Sequence, residues 1–204
     1  MKKFRNLSCI CCIYAFLHSA EAAPKSKAYT SAVVELSQNR VLFRMIGAGD
    51  YEAARSLLAE DTDVNAVDIY GDTPLAHAVM QGDSKLVELL IDLGADINIR
   101  NNFDITPFVL ACIEGNMELL RIFINKGADI NQVFSYGRVR RMTPLMVASR
   151  LGSLDVVREL LQNGADANLK DSAGRVAYDY ATKNNQSAIA DLLLSYRREQ
   201  LPQD

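Results

Sequence analysis

Beyond residue 22 the chain carries one histidine, His77, and one cysteine, Cys112. A thiol nucleophile needs a base within hydrogen-bond reach, and that base needs a third group to orient it. The sequence marks no residue for that third part. Cys112 stands where parallel segments of the chain carry Val79 and Ser149, which reads as a packed small side chain; a thiol-dependent enzyme or redox protein using Cys112 is the alternative. The aspartates recur singly in Gly-Ala-Asp-x-Asn turns. One carboxylate per turn cannot gather the roughly six to eight oxygens a calcium ion takes, so these aspartates read as turn formers. No metal-ligand cluster and no phosphate-cradling glycine run stands out, and neither metal nor cofactor is expected. What remains is recognition chemistry: Phe134 and Tyr136 beside Arg138, Arg140 and Arg141 in "VFSYGRVRRM", the aromatic and guanidinium groups that interfaces favour.

The elements that position these residues repeat. "GDTPLAHAVMQGDSKLVELLIDLGADIN" from Gly71, "DITPFVLACIEGNMELLRIFINKGADIN" from Asp104 and "RMTPLMVASRLGSLDVVRELLQNGADAN" from Arg141 align without gaps. Their Thr-Pro pairs begin at Thr73, Thr106 and Thr143, and a fourth copy places Val176 in the threonine position. Counting back from Thr73 reaches Arg40, where "RVLFRMIGAGDYEAARSLLAEDTDVN" is a degraded first copy. The interval from Thr106 to Thr143 is longer than the others by four residues, all falling before Arg141.

Each copy predicts a helix pair. Thr73 can cap a helix N-terminus, Pro74 fits its first position, and Gly82 ends it. Leu86, Val87, Leu89 and Leu90 recur at helical spacing on one apolar face, and Gly94 closes the second helix. Asp96 and Asn98 can bond neighbouring backbone and turn the chain toward the next copy. One helix pair cannot bury its apolar face alone, so copies must stack, and about three or more are needed.

Thr-Pro-Leu, a central Gly, Val-x-x-Leu-Leu and Gly-Ala-Asp-x-Asn, repeated in register over residues 39–195, resemble the ankyrin repeat. The histidine that follows Thr-Pro-Leu in that family is replaced in every copy, by Ala76, Val109 and Met146. The resemblance implies an all-α solenoid of about five stacked helix-turn-helix repeats joined by β-hairpin-like loops. It also implies a monomeric, non-catalytic module that binds a protein through hairpin tips and the exposed positions of each copy's first helix. Carried onto this sequence, those positions are Tyr70, Met80, Phe103, Ile105, Ile113, Glu114, Phe134, Tyr136, Arg138, Arg140, Arg141, Arg150 and Leu151, with Ile69, Asp72 and Met142 at the same tips.

The first residues read separately. "MKKFRN", the apolar run "LSCICCIYAFL" and "AEA" are ordered as in a secretory signal peptide, and the run is too short to span a bilayer. Cleavage after Ala22 would remove three of the 22 basic and one of the 25 acidic residues, leaving 19 against 24, a net charge of −5. That balance opposes a nucleic-acid partner, for which the three hairpin arginines are the alternative site. The expected organisation is a signal peptide at 1–22, a linker and N-terminal capping helix at 23–38, the repeat domain at 39–198 and a tail at 199–204. The mature protein is expected in the periplasm or outside the cell, with an envelope enzyme or a host protein as partner and no membrane span.

Overall fold

The computed structural model describes residues 29–58, 62–137 and 139–199. The expected signal peptide, the expected linker before residue 29, residues 59–61, Arg138 and the residues after Glu199 lie outside the described residues, as do the side chains of residues 29–38, Arg140, Arg198 and Glu199. The chain divides between Val34 and Glu35, and the repeats lie from Glu35 onward.

Among the described residues, ten helices and one hairpin follow in order: α1 (Tyr29–Ala48), α2 (Tyr51–Leu58), α3 (Pro74–Gln81), α4 (Ser84–Asp92), α5 (Pro107–Glu114), α6 (Met117–Asn125), β1 (Phe134–Tyr136), β2 (Val139–Met142), α7 (Pro144–Leu151), α8 (Leu154–Gln162), α9 (Ala177–Lys183) and α10 (Ser187–Glu199). The first helices α3, α5, α7 and α9 stack in one row, and the second helices α4, α6, α8 and α10 in another.

The capping chemistry decides where each first helix starts. The hydroxyls of Thr73, Thr106 and Thr143 accept from the N–H of Ala76, Val109 and Met146, and a proline follows each. Such a cap contributes about 1 kcal/mol. In the last copy Val176 has no hydroxyl, and the Asp179 carboxylate reaches back to the Val176 N–H instead. Gly82, Gly115 and Gly152 end α3, α5 and α7 at φ of 73°, 70° and 83°.

Between copies, the Asp-x-Asn turns form a polar ladder. Asp63, Asp96, Asp129 and Asp166 each accept from the N–H two residues on. Asn65 accepts from the Asp96 N–H and Asn131 from the Asp166 N–H, one copy further along. The core is continuous through the stack: Leu42 and Ile46 of the first copy join Leu75, Leu90, Phe108, Phe123, Leu145, Leu160 and Leu193 in one buried cluster. Phe108 and Phe123 meet edge to face within it, their ring centroids 6.4 Å apart.

The copies differ at their tips. Asp68, Asn101 and Asp171 occupy one position, and in each a single side-chain oxygen accepts two backbone N–H groups: Tyr70 and Asp72, Phe103 and Ile105, Ala173 and Arg175. Phe134 holds that position in the remaining copy and has no oxygen to offer. There the four extra residues build an antiparallel pair, with Phe134 opposite Met142 and Tyr136 opposite Val139. Cross-strand backbone bonds replace the side-chain acceptor. Gly137, at φ +63°, supplies the positive φ that a two-residue hairpin loop needs at its first position.

Candidate partner-binding face

Phe134 is 1% exposed and Met142 0% exposed. Both were expected at a solvent-facing tip, and the correction has a plain cause. Once the insertion pairs as strands, its side chains alternate between two faces, and the face carrying Phe134 and Met142 turns inward onto the stack. Tyr136 remains half-buried against the core, and the Arg150 guanidinium of α7 lies over its ring, 5.3 Å from the centroid. Asp72, also expected at a tip surface, is 1% exposed and accepts from the Asn101 amide at 2.7 Å.

The other expected positions form a row along the tips and first helices. Met80, Ile113 and Arg150 occupy one repeat position on the neighbouring helices α3, α5 and α7, with Glu114 and Leu151 one residue further on. Met80, Ile105 and Ile113 are half-buried against the core, Phe103 is half-buried, and Tyr70 is half-buried with its carbonyl accepting from Asn102. Glu114, Arg141 and Arg150 are exposed, and Leu151 is 42% exposed. Desolvation raises the Glu114 carboxyl above its ordinary range. For Arg140 only the backbone, in β2, is described.

Three arrangements went unread in the sequence. The first pins the hairpin. Arg100 donates to Asp104 Oδ1 at 2.7 Å and to the Val133 carbonyl at 2.9 Å, while Asp104 Oδ2 accepts from the Ser135 N–H. The alternation of charge in "NIRNNFD" carries no hint of a contact one copy away.

The second is a pair of braces. His77 Nε2 meets Asp68 Oδ2 at 2.9 Å, and the Tyr180 phenol donates to Asp171 Oδ2 at 2.5 Å. These are the same two repeat positions in different copies. Desolvation pulls the Asp171 carboxyl upward, but the bonds from Tyr180, Arg175 and Ala173 outweigh it and hold the group at about 2. Burial, then the bond to Asp171, pushes the Tyr180 phenol to about 12.

With Asp72, the first brace forms a cluster that sequence spacing did not suggest: ligand atoms of Asp68, Asp72 and His77 lie within 4.8 Å of one another. Two carboxylates and an imidazole are a chemically competent ligand set. Here, however, Asp68 already serves two N–H groups and His77, and Asp72 serves Asn101. The recurrence of the brace with a phenol in place of the imidazole identifies it as tip architecture.

The third is an open groove beside the first tip, between α1 and Val67, Asp68 and Ile69. Cys112 is 0% exposed, and burial raises its thiol far above the ordinary range. That is the opposite of what a nucleophilic cysteine requires. No helix among the described residues is long and apolar enough to cross a membrane.

Stacked helix pairs with projecting tips define a repeat solenoid, a fold that offers a continuous surface along one side of the stack. A family model described as Ankyrin repeats (3 copies) matches residues 12–101, 42–134, 79–171 and 135–204. The chain belongs to the ankyrin-repeat family, whose repeats are generally protein–protein interaction modules. No curated protein matches the chain significantly.

Proposed function

We propose that this chain is an exported, monomeric, non-catalytic binding protein that recognises one protein partner through its tips and first helices, centred on the 134–142 hairpin. One observation carries the reading: Arg150 lies over the Tyr136 ring. That contact ties the inserted hairpin to the first-helix row at the place where Arg141, Arg150 and Leu151 are all exposed. An aromatic and guanidinium cluster on an ordered support is the composition of an interface centre. Support for export comes from the order of the first 22 residues, basic then apolar then small-x-small. The periplasm or the cell exterior follows from that order, and the partner classes it allows are an envelope enzyme or a protein of a host.

Affinity capture from native cells tests this, comparing wild type with the double variant Tyr136→Ala, Arg150→Glu. Loss of one captured protein from the variant, with the fold intact by circular dichroism, is the expected result. An identical captured set in both would refute the hairpin as the contact. Export is tested separately: the N-terminus of the protein recovered from the cell envelope should be Ala23, and recovery of a chain retaining residues 1–22 from the cytoplasm would refute it.

A further inference from the structure

The tips are joined in sequence by one repeat position whose N–H reaches back to the tip before it. Asn102 N–H donates to the Tyr70 carbonyl at 2.9 Å, and Ser135 N–H donates to Asp104 Oδ2 at 2.9 Å. Ile69 holds the same position in the first tip. The residues that would form a tip ahead of it, 35–39, lie within α1. Ile69 N–H therefore has no hydrogen bond among the described residues, and the Ile69 side chain is 79% exposed where the later copies carry Asn102, Ser135 and Ser172.

The missing tip leaves an open groove of about 1040 Å³, lined by Asn39, Arg40, Val41, Phe43, Arg44, Val67, Asp68 and Ile69. Val67 is 54% and Val41 37% exposed. Arg40 and Arg44 stand one helical turn apart, both exposed, and neither makes an ion pair among the described residues. Two like charges at this spacing repel. Asp68, the carboxylate on the opposite wall, is occupied by His77 and two N–H groups. Apolar walls, a backbone donor and two guanidiniums that no described residue answers together describe the ligand: a chain in extended form, which can offer a carbonyl to a strand-like edge and alternate its side chains, with carboxylates for the arginines.

We propose that this groove takes an extended acidic and apolar segment of a partner protein, its backbone carbonyl on Ile69 N–H, a carboxylate between Arg40 and Arg44, and an apolar side chain against Val67 and Ile69. The proposal rests on the reading of the tips and first helices as the binding surface, and adds to it a second contact with a stated ligand chemistry.

The test uses the isotope-labelled full chain titrated with three capped hexapeptides: Val-Asp-Val-Glu-Val-Asp, its counterpart with lysine at every acidic position, and its counterpart with serine at every valine. The acidic apolar peptide should shift the amides of Arg40, Arg44, Val67 and Ile69, with the Ile69 amide proton moving downfield. Its affinity should exceed that of the other two at least tenfold, and should fall at least tenfold in Arg44→Glu and in Ile69→Asn, the residue the next copy carries. Binding of none of the peptides, shifts away from these residues, or equal binding of the lysine peptide would overturn the proposal. So would an Ile69 amide already protected in the free protein, which would make the occupant residues preceding α1, or a concentration-dependent dimer shifting the same amides, which would make it a second copy. Arg150→Glu should leave the peptide affinity unchanged, so failure here and failure of the hairpin contact are read independently.

Discussion

Arg141 stands at φ +60° in the position that Gly71 holds, two copies earlier, at φ +77°. The same position carries Asp104 at +65° and Gly174 at +78°, so every described tip turns through a left-handed residue and two of the four are not glycine. Such a residue costs roughly 1–2 kcal/mol relative to its right-handed form. Arg141→Gly is expected to leave stability unchanged or raise it by up to about 1 kcal/mol, whereas Gly174→Arg should lower it by about 1 kcal/mol or more. Urea midpoints measure both; a clear loss on Arg141→Gly would mean that the arginine side chain supports the fold.

Phe134→Ala should destabilise the protein by about 3–5 kcal/mol, as for a large ring removed from a packed core. Tyr136→Ala, two residues along the same strand but only half-buried at the edge of the core, should cost roughly 1 kcal/mol. Equal losses would contradict the seating of the hairpin, which buries the first ring fully and the second only in part.

That contrast shows where the sequence was legible. The helix pairs, their threonine caps, the glycine stops and the aspartate turns are local chemistry repeated in register, and the structure places them as the spacing predicts. The length of the insertion was legible too, but not which way its rings face. As composition, Phe134 and Tyr136 are both interface aromatics; only the way the paired hairpin seats on the stack buries the first completely and leaves the second, nearer the loop, half-covered. The Arg100 and Asp104 pin and the two braces were hidden for a related reason, because each links residues through a fold-level juxtaposition that no local pattern encodes.

Asp171 gives a pH dependence. Its carboxyl sits at about 2 in the folded protein against 3.8 for an unperturbed aspartate, so its stabilising contribution is present above about pH 4 and is lost as pH falls through 2. Asp171→Asn should be less stable at neutral pH by roughly 1–3 kcal/mol, since the Tyr180 phenol and the Arg175 guanidinium lose a charged partner. The variant should also lose less stability than wild type between pH 4 and pH 2. Denaturation midpoints that run parallel over that interval would show that the brace is not charge-assisted.

The central claim is that one face of the stack meets a protein partner. A photo-crosslinking amino acid placed singly at Phe103 or Arg150, on the tips and first helices, and at Glu88 or Arg158, on the exposed side of α4 and α8, tests it in native cells. One adduct of common mass is expected from positions 103 and 150 and none from 88 and 158. Adducts from 88 and 158 alone would contradict it.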